Sequence, residues 1–226
     1  MAEKVEARPP ERATGASLAV ILLASACFGA LALLHIFRTD LDPVREVMSG
    51  YANGRLGVYM TAAFYLFGLA AMALAVRLRR ALRGDRGAVA VPILLSLAGL
   101  CLLLAGVFEV ERPLVPDTIE EVIHSDAALA GFALMITAML VFAVVIRSDP
   151  RWVGFRRRAM WLAITAAVAG AASPFADKTP WSGIAQRVLG LVVVLWLLLT
   201  ALHVRSSVYA YAQQPGGSVD ADRAPP

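Results

Sequence analysis

Charge is scarce in this chain: 17% of its 226 residues are Asp, Glu, Lys or Arg, against about a quarter in soluble domains. The hydrophobic share is 59%, and it falls in nearly uncharged runs of roughly 17 to 22 residues, the length that crosses about 30 Å of hydrocarbon. Cysteine is nearly absent. Cys27 and Cys101 both lie inside apolar runs, which excludes a disulfide framework and zinc-type cysteine spacing and suits small buried apolar residues. The sequence has no glycine-rich phosphate loop, nucleophile elbow or kinase motif, and nothing in it calls for a cofactor. No acid or base stands in mid-run, which argues against a proton pump or ion-coupled transporter, and no pair of broken helices marks a midplane substrate site. The first twelve residues are too polar and acidic for a cleavable signal, so the first apolar run is expected to stay in the mature chain.

What is present is six apolar runs: about Ser17 to Phe37, Gly57 to Val76, Val89 to Phe108, Ala127 to Ile146, Ala159 to Phe175 and Ile184 to Val204. They predict an all-α integral membrane bundle of six transmembrane helices spanning residues 16–205. Disordered, polar termini are expected at 1–15 and 206–226. Asp42-Pro43 reads as a helix start and Asn53-Gly54 as a stop, so a short interfacial helix is expected over Pro43 to Ala52, in the first outer loop. Pro92 is expected in the first turn of the third span, where its missing N–H costs little. Trp152 and Trp161 suit the headgroup region. In the fifth span Ala163, Ala167 and Ala171 recur every fourth position, offering a face for close helix packing, within the chain or against a second copy or another membrane protein. The sixth, rich in Leu, Val and Trp196, suits a helix facing lipid.

The net charge is +4 and the pI about 9.4, yet the basic residues cluster at the ends of the runs, where they orient a chain in a bilayer rather than bind nucleic acid. One side of the expected bundle carries fifteen Lys and Arg and the other six. The positive-inside rule then places both termini in the cytoplasm of a plasma-membrane protein, with membrane lipids as its partners.

The polar residues of interest gather on the outer side. The stretch Phe108 to Asp126 carries six acids, one arginine and His124. His124 reads as opening the fourth helix, where the dipole disfavours imidazolium. A neutral imidazole there could act as a base with Asp117 or Asp126 orienting it. The plainer reading is a histidine that fixes a loop through a backbone carbonyl, and this is favoured. Arg187, one turn into the sixth span, needs a partner, with Asp177, Asp117 and Asp126 as candidates. A headgroup or small-molecule site could be built from His35, Arg38, Asp40, Asp42, Glu109 and Arg187, though Asp42 reads first as a cap. Glu109 and Glu111 end the third helix, where acids want a cation such as Arg38 or Arg112. A zinc site of His35, His124 and one acid is weighed and set aside. His203 belongs to the opposite side, about 24 Å along the helix from Arg187, so no metal is expected.

The run Leu41-Asp42-Pro43-Val44-Arg45-Glu46-Val47-Met48-Ser49-Gly50-Tyr51-Ala52-Asn53-Gly54-Arg55 resembles the first outer segment of the domain-of-unknown-function 998 family. The acidic turn with Thr118 and Ile123-His124 leading into Ala127-Ala128 is similar to that family's second outer segment. Gly183-Ile184-Ala185-Gln186-Arg187, leading to Leu195-Trp196, resembles its last helix. Glu120-Glu121 before the histidine departs from the more open Gly or Ser pattern expected there. The resemblance covers about Ser17 to Val204 and implies a bacterial-type multi-pass membrane protein, but no activity. Three functions stay open: a protein binding a lipid headgroup or small molecule, which is preferred; a membrane hydrolase using His124; and a structural subunit.

Overall fold

The computed structural model describes residues 10–82, 86–108, 118–176 and 181–212. These form six helices: α1 (Pro10–Phe37), α2 (Gly57–Ala81), α3 (Arg86–Val107), α4 (Ile119–Val145), α5 (Arg156–Ala176) and α6 (Ser182–Ala212). No strand occurs among the described residues. Five of the six, all but α5, are long and apolar enough to cross a membrane. α5 opens on three arginines and is built largely from Ala and other small residues, so its apolar signal is the weakest.

The helices run up and down. Each packs on its neighbour in sequence, α1 on α2 included although the 38–56 segment lies between them, and α6 returns to α1 and closes the ring. α3 packs between α2 and α4. Small residues let the helices approach. A Cβ on Gly68 would stand 2.7 Å from Gly99 O, and one on Gly99 would stand 2.6 Å from Gly68 O, so α2 and α3 cross backbone to backbone. The buried stripes follow heptad-like spacing, as in Ser17, Val20, Ala24, Cys27 and Leu34 of α1 or Val91, Leu95, Ala98, Leu102 and Ala105 of α3.

Several expectations need correction. α1 begins at Pro10 and α6 continues to Ala212, both inside stretches expected to be irregular. The segment after α1 is not a regular helix over 43–52. Asp42 Oδ1 accepts from Val44 N at 2.9 Å and its carbonyl accepts from Glu46 N at 2.8 Å, so one turn forms. Val47 is then extended, and only a five-residue 3-10 helix at Met48–Ala52 follows. α4 starts eight residues early, because Thr118 caps it, its Oγ1 accepting from Glu121 N at 3.3 Å. α3 starts at Arg86, so Pro92 lies inside the helix rather than in its first turn. On α5 the close-packed face is Ala159, Ala163 and Ala166, all fully buried, while Ala171 is exposed.

Two residues expected near lipid are core. Trp152 is 3% exposed and packs edge-on against Phe142, with ring centroids 5.2 Å apart. α6 is the most buried of the five spans, 56% of its most apolar window lying inside the protein. Trp196 is fully buried, edge-on to Phe142 at 5.5 Å. These rings and Phe155 fill the arginine-rich end of the bundle. The opposite, polar end, where residues 38–56 lie, is built differently.

Candidate functional site

At the polar end the connection after α1 is organised by a buried cation. Arg38 is 6% exposed. Its Nη1 donates to Asn53 O at 2.8 Å and Arg55 O at 2.9 Å, and its Nε and Nη2 hold Asp40 in a two-pronged pair. The guanidinium's hydrogen bond holds the Asp40 carboxyl below the ordinary carboxylate range, and the carboxylate in turn raises Arg38. Gly54 and Leu56 both take positive φ, 74° and 66°, and so turn the chain into α2.

A second arginine pins α6 to this connection. Arg187 Nη1 donates to Glu46 O at 2.7 Å and to Gly183 O at 2.9 Å, while its Nε donates to His35 Nε2 at 2.7 Å. His35 Nδ1 lies 2.7 Å from Leu31 O. A carbonyl only accepts, so Nδ1 carries the proton and Nε2 offers its lone pair to Arg187. Tyr51, 2% exposed, sits among them. Its ring stacks on His35 at 5.2 Å and faces the Arg187 and Arg38 guanidiniums at 5.3 and 5.9 Å. Gln186 Oε1 accepts from Met48 N, and Ser182 Oγ donates to Arg45 O. Gly183 has no side chain because Glu46 O and Pro43 O would lie 2.5 and 2.6 Å from a Cβ.

Beneath this lattice lies a cavity of about 600 Å³, within the usual range for small-molecule sites. Its walls come from α1, the 3-10 helix, α2, α4, α5 and α6, with α3 taking no part. Phe64, Phe67, Phe132, Leu189 and Val194 make it apolar. His124, 3% exposed, is in its wall, with Ser125 and Asp126 beside it. Nδ1 of His124 is 2.7 Å from Ala105 O and 3.1 Å from Phe108 O, at the end of α3, where carbonyls lack helical partners. The ring stands edge-on to Phe64, centroids 5.2 Å apart. Nε2 is buried and has no hydrogen-bond partner among the described residues.

The structure thus brings some expected site residues together and separates others. His35 and Arg187 meet directly, and Arg38 pairs with Asp40. Asp42 caps the turn that follows it and lies 3.6 Å from Arg45. His124 stands apart, in the cavity, and is not at a helix mouth. It is the sixth residue of α4, past the first turn to which the dipole effect is confined. Main-chain carbonyls, rather than Asp126, orient it. Arg187 is held by an imidazole and carbonyls, and no acid among the described residues forms an ion pair with it. Asp117, Glu109, Glu111, Arg112, Asp177 and Lys178 lie outside the described residues. Among those described, no three His, Cys, Asp or Glu side chains gather to hold a metal.

The sequence reading missed Tyr51, whose signal was an aromatic ring between Gly50 and Ala52 in an otherwise polar connection. It also missed Arg77, 3% exposed near the far end of α2, where Nε donates to Ser17 Oγ at 3.1 Å. His203 lies at that far end too, stacked on Trp152 and Phe155 at 4.9 and 5.0 Å.

No curated protein and no solved structure matches the chain. The family model described as "Protein of unknown function (DUF998)" matches residues 8–203, a range that takes in the Arg38 and Arg187 lattice and the whole cavity. With five apolar helices of membrane-crossing length and this match over most of its length, the chain belongs to the DUF998 family.

Proposed function

We propose that this protein binds a small amphipathic molecule, of membrane-lipid character, in the cavity at the polar end of a six-crossing bundle in the plasma membrane. α5 is the sixth crossing: its 21 residues rise about 31 Å, enough for the hydrocarbon layer. Its neighbours α4 and α6 are both of membrane-crossing length. The arginine-rich end faces the cytoplasm, so the cavity lies toward the outer leaflet.

The observation that carries the binding reading is the pairing of an apolar cavity of about 600 Å³ with one buried imidazole nitrogen, His124 Nε2, that has no partner among the described residues. Protein interiors are ordinarily close-packed. A buried polar atom without a partner is costly. A ligand with an apolar body and one polar group would answer both.

The test is to compare the lipids that co-purify with the native chain and with Gly190→Phe. Gly190 lines the cavity, and a Cβ there has ordinary room, 3.7 Å from Met48 Sδ, so the ring fills the space without forcing the helices apart. A bound amphiphile present in the native chain and lost in the variant is the expected result. The same lipids in both would overturn the reading.

A further inference from the structure

Resting on that reading, we infer that the cavity is built for a neutral long-chain amphiphile whose head carries a free hydroxyl, and that His124 Nε2 accepts that hydroxyl's hydrogen bond. The argument starts from the other ring nitrogen. Nδ1 faces two carbonyl oxygens, at 2.7 and 3.1 Å, and carbonyls cannot donate, so Nδ1 bears the proton. In the neutral ring Nε2 then presents a lone pair. An acceptor buried without a donor calls for a ligand that supplies one.

The rest of the wall points the same way. Among the described residues no Lys or Arg lines the cavity, and Asp126 adds a carboxylate two residues from His124. The Asp126 carboxylate, with no cation beside it among the described lining residues, disfavours a carboxylate or phosphate head, and the bare acceptor at His124 favours a head that donates. A hydroxyl does so without carrying a charge into the apolar cavity. Gln186 also reaches the cavity, but its oxygen is already engaged by Met48 N. Below the polar rim the lining on α4 runs from His124 to Ile136, about 18 Å of helix, and faces apolar residues of α2 and α6. That depth suits an extended hydrocarbon chain. Leu129 lines the cavity while 64% exposed, so the cavity wall and the flank of α4 are continuous.

The experiment is native mass spectrometry of the full chain with hexadecan-1-ol, hexadecyl methyl ether, palmitate and hexadecylamine. Each is also tested on His124→Phe and Gly190→Phe. The alcohol should bind about tenfold tighter than the ether, which cannot donate. That preference should vanish in His124→Phe, and Gly190→Phe should weaken all binding. Equal binding of alcohol and ether, still blocked by Gly190→Phe, would overturn the hydroxyl assignment and leave the cavity as a binding site. Palmitate or hexadecylamine binding tighter than the alcohol would overturn it as well. No binding of any of the four would remove both the assignment and the reading beneath it. If His124→Phe fails to fold, the alcohol-to-ether comparison on the native chain decides alone.

Discussion

Arg187 Nε donates to His35 Nε2 across 2.7 Å, joining the second turn of α6 to the last turn of α1. The bond requires His35 to be unprotonated at Nε2, and the Leu31 carbonyl at Nδ1 selects that tautomer. A cation near the start of an apolar span is thereby held without an acid. The imidazole, two carbonyls and the face of Tyr51 share the guanidinium. The same contact closes the ring of helices at the polar end.

A double-mutant cycle measures this bond. Arg187→Lys should cost about 1–2 kcal/mol in unfolding free energy, since an ammonium cannot reproduce the forked donation. His35→Ala should cost a similar amount. The double variant should fall short of the sum by about 1 kcal/mol. Strict additivity in denaturant melts would show the contact to be energetically idle.

Gly183 sits where α6 meets the carbonyls of Pro43 and Glu46. Gly183→Ala must push that strap away, because both obstacles are backbone. The expected outcome is destabilisation of about 1–3 kcal/mol, with faster proteolysis within residues 43–48. Gly190→Ala, where a Cβ meets nothing closer than 3.7 Å, should be neutral or stabilising and serves as the control.

Asp40 gives a pH dependence. Its folded pKa is lowered by Arg38, so its contribution to stability is present above the unfolded value, about 3.9. It is lost as pH falls through the lower folded value. Melting temperatures of the native chain should therefore decline more steeply below about pH 4 than those of Asp40→Asn. The effect should be small, because the carboxylate is 61% exposed. Arg38→Ala should be far more harmful, since it leaves the carbonyls of Asn53 and Arg55 without their donor.

Orientation is read with single cysteines, after replacing Cys27 and Cys101 by Ala. Thr39→Cys should react with an impermeant maleimide on intact cells. Ser148→Cys should react only after permeabilisation. The reverse pattern would invert the bundle and place the cavity toward the cytoplasm.

How much was legible in the sequence differs between elements. α1, α2, α3 and α4 are long uninterrupted apolar runs, and the length rule finds such helices without knowledge of their neighbours. Their boundaries shifted where a local signal was overlooked: Thr118 with Glu121 three residues on is a capping pattern, and it begins α4 eight residues before the apolar run does. The 3-10 helix was hidden because Gly50 and an extended Val47 break the turn that Asp42 starts. The lipid-facing expectation for α6 failed for a general reason. Lipid tails and protein core are equally apolar, so a run of Leu, Val and Trp cannot say which of the two it meets.

Composition and order alone determined that this chain would make apolar helices of membrane length, with arginines at one set of ends and acids, His35 and His124 at the other, because length and charge placement act locally. Only the tertiary structure decided that His35 would meet Arg187 while His124 would face a cavity. Each ring's role depends on which carbonyl reaches its Nδ1 and on what stands opposite Nε2. Those partners lie 152 residues away for His35, in Arg187, and 19 for His124, at Ala105, and helix packing brings them together.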